Sequence, residues 1–244
     1  MEGEHQSTTV IQFNDAGNAI DSATFRLFAD NFVGINLTFR NTYNLPLPSN
    51  DAKKVSVAPA AVVNGDKVMF YSCGFISVQD TLCDGIGRHY FFSCDIEGAV
   101  DFIWGRGQSV YMRCRINVAG RLMGGTPGFI TAQGRESEQD TSGFVFIMCG
   151  RAYRRYSRVL FSRTIMSDIV VPQGWDAWNY AGQEQTITYA EVNCEGPGAN
   201  KKGRVKWEKT LPPDEINFLK SPKTFIDADN WMEQLPVSAK LPMY

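Results

Sequence analysis

Apolar positions in this chain come in short bursts rather than helical stripes, and one burst recurs. Phe70-Tyr71-Ser72-Cys73-Gly74-Phe75, Phe91-Phe92-Ser93-Cys94-Asp95-Ile96 and Tyr111-Met112-Arg113-Cys114-Arg115-Ile116 follow one template: two large residues, a small or polar one, a cysteine, then an apolar residue two places on. The cysteines of the three copies are 21 and 20 residues apart. A fixed period in this range marks a solenoid, whose coils cannot bury their apolar faces alone and so rest on their neighbours. Each copy is rich in aromatic and β-branched residues and bounded by Gly, Asn or Asp, with no helical periodicity between copies. The pattern predicts an all-β chain folded as a parallel β-helix.

Outside the clear repeat, which spans residues 59–120, strand-like runs lie at 8–13, 32–39, 128–132, 143–149, 158–165 and 186–192, with a Pro/Asn/Ser/Lys-rich loop at 43–58. Residues 207–244 read as an irregular and helical tail. Pro212-Pro213-Asp214-Glu215 sets a helix start, and Phe225, Ile226, Trp231 and Leu235 offer an apolar side to cover a coil end or flank. A solenoid needs such caps.

Composition narrows the picture. With 244 residues, 43% hydrophobic, the chain can bury a core as a single elongated domain, expected to be a monomer. A net charge of −2 from 24 basic and 26 acidic residues points to neither nucleic acid nor an anionic membrane as partner. The basic stretch 201–206 reads as a solvated face, with some capacity to attract a polyanion. The longest apolar run, Phe144 to Cys149, is too short to span a bilayer, and the N-terminus Met1-Glu2-Gly3-Glu4-His5 is polar rather than a signal peptide. Six scattered cysteines without a CxxC pair, and only two histidines, argue against a zinc site. With no GxSxG, carboxylates must carry any acid–base chemistry.

Two acids keep step with the repeat. Asp80 and Asp101 are 21 residues apart, so they should stand on adjacent strands about 4.8 Å apart and project from one face. Like charges that close push one pKa up and the other down, which suits an acid paired with a base or nucleophile. An isolated Asp beside Gly or Thr is ordinarily a turn residue; the shared phase is what singles these two out.

Gln79-Asp80-Thr81, Asp101-Phe102-Ile103-Trp104-Gly105, Ile130-Thr131-Ala132-Gln133-Gly134-Arg135 and Gly150-Arg151-Ala152-Tyr153, followed by Tyr156-Ser157-Arg158 and Gly174-Trp175, resemble the ordered signatures of plant pectin methylesterases. The resemblance runs from about Thr8 to Trp231. It implies a right-handed parallel β-helix, secretion to the cell wall, and hydrolysis of galacturonate methyl esters in pectin, with no cofactor. Residue by residue, it implies Asp101 as nucleophile, Asp80 as general acid and later base, Gln79 as oxyanion donor, Arg151 as the cation beside Asp101, and Trp104 and Tyr153 as faces for sugar rings. Pectin is the expected partner, with a proteinaceous inhibitor as a further candidate. Bland readings remain for each: Gln79 as a ladder amide, Arg151 as a surface ion-pair partner, the aromatics as packing.

The chain departs from the family pattern in several places. Val57 stands where the family has a second oxyanion glutamine. Ala152 and Tyr153 replace the family's Pro and Trp. The segment before Gly150 is short, and the family's opening strands are expected to be missing ahead of Met1, leaving an uncapped coil. These changes bear on activity more than fold, so a weakened relative that only binds pectin is a second reading, and another β-helical lyase or glycosidase a third. Cys94 and Cys114 are candidates for a disulfide if the chain is secreted, Cys73 is expected as a buried thiol, and Asn36-Leu37-Thr38 is a candidate glycosylation site.

Overall fold

The computed structural model describes residues 1–45, 55–123, 128–146, 150–152 and 154–235. The chain winds in coils of three short strands. The first coil is β1 (Val10–Phe13), β2 (Phe25–Leu27) and β3 (Val33–Ile35), and the second β4 (Thr38–Asn41), β5 (Ala61–Val63) and β6 (Val68–Tyr71). β7 (Gly74–Ile76), β8 (Leu82–Asp84) and β9 (Arg88–Phe92) form the third, and β10 (Asp95–Gly98), β11 (Val100–Gly105) and β12 (Gln108–Met112) the fourth. The fifth holds β13 (Arg115–Val118), β14 (Phe129–Gln133) and β15 (Gly143–Phe146); β16 (Gly150–Ala152), β17 (Arg158–Ser162) and β18 (Thr188–Val192) follow. Through β15 every third strand pairs in parallel, and then β16 joins β14, β17 joins β15 and β18 joins β17, giving three sheets: β1-β4-β7-β10-β13, β2-β5-β8-β11-β14-β16, and β3-β6-β9-β12-β15-β17-β18. The parallel β-helix expected from the repeat is therefore the observed fold.

The period has a local cause. Asn36, Ser72, Ser93, Arg113, Arg163 and Asn193, each just after a strand of the third sheet, all sit in the left-handed region with φ between 48° and 56°. Left-handed backbone ends a strand and turns the chain at once. The run read as one strand at 32–39 is accordingly two, broken at Asn36. The sequon asparagine thus lies in a turn, half-exposed, with Thr38 buried behind it.

The next residue after this turn points inward, and here the repeat's cysteines stack. Cys73, Cys94, Cys114 and Cys194 each turn the thiol to the carbonyl two residues back, at 3.3 to 3.8 Å. The candidate disulfide is not formed: Cys94 and Cys114 are both free thiols. The two thiols nevertheless stack against each other, and burial, then the hydrogen bond and charge of Cys114, push the Cys94 thiol up. Cys73 is the buried thiol expected. Cys149 lies outside the described residues.

Inside the coils an aromatic column runs along the axis. Phe70 stacks on Phe91 at 5.5 Å, Phe91 on Tyr111 at 4.5 Å, Tyr111 on Phe146 at 4.0 Å, Phe146 on Phe161 at 6.1 Å and Phe161 on Trp175 at 5.0 Å. The third sheet is also covered outside, where the tail lays Leu219, Phe225, Ile226, Trp231, Met232 and Leu235 over Met69, Tyr90, Val110 and Leu160. A sheet buried on both faces reads as continuous apolar runs rather than alternation, as in Val68-Met69-Phe70-Tyr71. Helix α1 (Pro213–Lys220) begins where the proline and acids predict. The tail is pinned by Asp229, which takes Arg88 at 2.7 Å and Lys67 at 3.3 Å.

A polar knot is buried among these aromatics. His89 faces Asp84 through Nδ1 and the Gly65 carbonyl through Nε2 at 2.8 Å, while Tyr111 donates to the other Asp84 oxygen at 2.6 Å. Both ring nitrogens meet acceptors, so both must donate and the ring is an imidazolium. Burial alone would push the His89 pKa down; the Asp84 charge and hydrogen bond, the Gly65 carbonyl and the more distant Asp66 outweigh it and hold it above 6.5. A raised folded-state pKa gives stability that is complete below the unfolded value and lost as the pH rises through the folded one. The melting temperature of the wild type should therefore exceed that of His89→Gln most on the acid side of 6.5, the gap shrinking as the pH climbs; a gap independent of pH would refute the charged pair. Mass spectrometry after native alkylation should find Cys73 and Cys94 unmodified, and non-reduced digests should yield no Cys94–Cys114 peptide.

Candidate active site

The acids lie on the second sheet. Gln79 bridges Val100, Leu82 pairs Ile103 and Cys83 pairs Trp104, a register that sets Asp80 beside Asp101 on adjacent coils. Both are half-exposed, as is Gln79. Both acids also adopt left-handed backbone, with φ of 59° at Asp80 and 47° at Asp101. Such geometry is uncommon outside glycine, and Asp tolerates it better than most residues. Asp80 thus sits in the turn just before β8, and Asp101 at an irregular position within β11 rather than in a flat stretch of strand.

On the far side of Asp101 the pairing slips. Val100 faces Phe129 but Ile103 faces Thr131, so β11 carries one residue more than β14 in a bulge that holds Asp101. A bulge of this kind re-aims one side chain while leaving its neighbours paired. The Asp80 carbonyl accepts the indole N–H of Trp104 at 3.2 Å. Trp104 is half-buried and packs on Ala23, Val62 and Cys83. Burial, then the charges of Asp84 and Asp80, push the Cys83 thiol up out of the reactive range.

Arg151 is reached through β16, where Ala132 pairs Arg151 and Gln133 pairs Ala152, placing Arg151 in the row that runs from Cys83 through Trp104 and Ala132. Tyr153 lies outside the described residues. Val57, half-buried, directly precedes Ala58, whose N–H meets the Gln79 carbonyl at 3.4 Å. The residue beside Gln79 on the neighbouring coil therefore brings no side-chain amide.

Other motif residues prove to be scaffold. Gln133 is fully buried and its Oε1 accepts the N–H of Arg135 at 3.1 Å and of Arg158 at 2.8 Å. Arg135, also buried, donates to the carbonyls of Asp140 at 2.7 Å and Glu138 at 2.5 Å. Burial and the nearby Arg135 charge push Arg158 down to about 10. Nothing in the repeat announces these roles, because each depends on a loop of no fixed length. Among the described residues no group of three or more His, Cys, Asp or Glu side chains is arranged to hold a metal, and no helix is long and apolar enough to cross a membrane.

A parallel β-helix bearing two in-register, half-exposed acids on one sheet is the class that the geometry defines. The pectinesterase family model matches residues 1–229, and the chain belongs to that family. It is 45% identical to Probable pectinesterase 29 of Arabidopsis thaliana over 251 residues, covering 98% of this chain and 75% of the relative. Probable pectinesterase 55 of the same plant is also 45% identical, over 96% of this chain and 74% of its own length. Among solved structures, a pectin methylesterase from carrot superposes with a TM-score of 0.85 at 26% identity, covering 99% of this chain and 80% of that one.

Left-handed backbone at the acids yields a test. Asp80→Asn and Asp101→Asn should melt close to wild type, since Asn tolerates this region. Alanine at either position should cost about 1–2 kcal/mol, or roughly 2–4 °C per kcal/mol in a chain of this size. Alanine variants melting with the asparagine ones would contradict the backbone assignment.

Proposed function

We propose that the protein hydrolyses methyl esters of galacturonate units in pectin, and the observation that carries the reading is the in-register pair Asp80 and Asp101 in a chain of the pectinesterase family. Asp101 attacks the ester carbonyl as a carboxylate. A tetrahedral oxyanion forms, and the Gln79 amide N–H stabilises it. Collapse expels methanol, which takes the proton of Asp80, and leaves an acyl anhydride on Asp101. Water then attacks the galacturonoyl carbon of that anhydride while Asp80 takes one of its protons; the Asp101 carboxylate leaves, and the galacturonic acid released gives its own proton to solvent, so both acids are restored. Arg151 serves as the cation that keeps Asp101 ionised. Trp104, by holding the Asp80 carbonyl, fixes the turn that presents the acid, and Tyr153 supplies a sugar-stacking face. The plant cell wall is where such a substrate resides, so secretion follows from the reading.

Val57 supports a second reading. With no amide beside Gln79, oxyanion stabilisation falls to one side chain, and a chain that binds pectin but turns it over weakly fits that loss. Methanol release from highly esterified pectin decides between them. Release by the wild type, abolished by Asp101→Asn with pectin binding retained, is the expected result. Asp80→Asn should cost about 10²–10⁴-fold and Gln79→Ala about 10²–10³-fold, whereas Val57→Gln should raise the rate. Pectin binding without methanol release would give the second reading precedence; wild-type activity in Asp101→Asn would remove the nucleophile assignment.

A further inference from the structure

Among the described residues the first sheet ends at β13, while the other two sheets run on through later strands. The cause lies in one coil. Residues 113–128 carry the chain from β12 to β14 and hold β13 on the way, whereas 147–149 alone separate β15 from β16 of the second sheet. The coil of β16 and β17 therefore contributes no described strand to the first sheet. That sheet resumes one coil later, where Ile165, just past the left-handed turn at Arg163, bridges Glu195. The third-sheet strands leading to β13 and to Ile165 are β12 and β17, and they stand two places apart with β15 between them. A position one strand wide is thus left between β13 and Ile165.

A cleft of about 350 Å³ opens there, with Ile116 and Val118 of β13 on one side, Ser167 and Ile169 on the other, and Glu97 and Asn117 along its outer rim. Its edge carries directed backbone groups. Arg115 and Ala119 donate their N–H groups to the carbonyls of Cys94 and Gly98, each at 2.8 Å, on the β10 side. Backbone groups alternate sides along a strand, so those of Ile116 and Val118 face the cleft. An edge of this kind is a template for a further strand. Side chains alternate as well: Ile116 and Val118 pack toward the core, whereas Arg115 and Asn117 are exposed. Apolar surface is left open on the far side, where Ile165 is 78% and Ile169 48% exposed. Charge is left open too. Asp95 is matched by Arg115 at 2.7 Å, but Glu97, in register with Asn117, has no ion-pair partner among the described residues.

We infer that β13 receives an extended segment of a partner protein as an added parallel strand, apolar at the residues in line with Ile116 and Val118 and bearing a lysine or arginine in line with Asn117, beside Glu97. The geometry selects this occupant. Because the position is flanked on both sides, a folded sheet edge such as β1 of a second copy is kept out by its own next strand, and a free extended segment is admitted. Main-chain hydrogen bonds to Ile116 and Val118 supply affinity, and the alternating side chains supply selectivity. A polysaccharide has no amides at strand spacing with which to pair this edge.

The probe is the fluorescein-labelled, amidated pentapeptide Thr-Ile-Lys-Val-Thr, titrated into the full chain by fluorescence anisotropy, with amide hydrogen exchange followed residue by residue. Saturable binding should slow exchange at Ile116 and Val118 and leave Asn117 unchanged, since alternation turns the Asn117 N–H toward β10. Methylating the peptide's lysine nitrogen, which faces β13 in the parallel register, should weaken binding about tenfold. Glu97→Gln should weaken binding of the lysine peptide about five- to tenfold and leave its glutamine counterpart unaffected, a coupling that loss of fold would not produce. Absence of saturable binding, or binding without slower exchange at Ile116 and Val118, would overturn the inference. So would exchange at these two amides already as slow as at Asn117 in the free chain, which means the chain fills the position itself. Equal protection by de-esterified oligogalacturonate would assign the cleft to polysaccharide and overturn it as well.

Discussion

A left-handed residue at one fixed phase of the coil governs this structure. Asn36, Ser72, Ser93 and Arg113 each stop a strand of the third sheet at the same phase, and everything inside the coil is then aligned with its counterpart one turn on. Given that alignment, like residues must stack: Phe on Phe and Tyr, Cys on Cys, and on the second sheet Asp beside Asp. The same constraint that lines up apolar surface for burial also forces two carboxylates together, which no isolated strand would do.

The acids carry the constraint into the chemistry. Asp80 and Asp101 occupy left-handed positions of their own, and the bulge at Asp101 frees its side chain from the pairing with β14. In the proposed reaction, the fold supplies proximity and fixed orientation, and the difference in role between two chemically identical side chains comes from their unequal surroundings.

Much of this was legible in the sequence. The period of the cysteines led directly to the β-helix, and the shared phase of Asp80 and Asp101 led to their register, because in-register stacking converts sequence distance into spatial neighbourhood. What repeats not at all stayed hidden. The Asp84–His89–Tyr111 knot joins different sheets through buried side chains, and His89 gives no local sign of it. Gln133 and Arg135 belong to a signature motif whose letters give no role, and they act as buried hydrogen-bond staples. The candidate bridge between Cys94 and Cys114 is absent although the two stack, since stacking alone aligns thiols without joining them.

The division of labour between the stacked acids is the central claim, and trapping the acyl intermediate tests it most directly. Turnover of esterified oligogalacturonate quenched with hydroxylamine, followed by peptide mapping, should find a substrate-dependent hydroxamate on the peptide at Asp101, enriched in Asp80→Asn, where the second step is slowed. A hydroxamate on Asp80 with Asp101 unmodified, while methanol is released, would contradict the account.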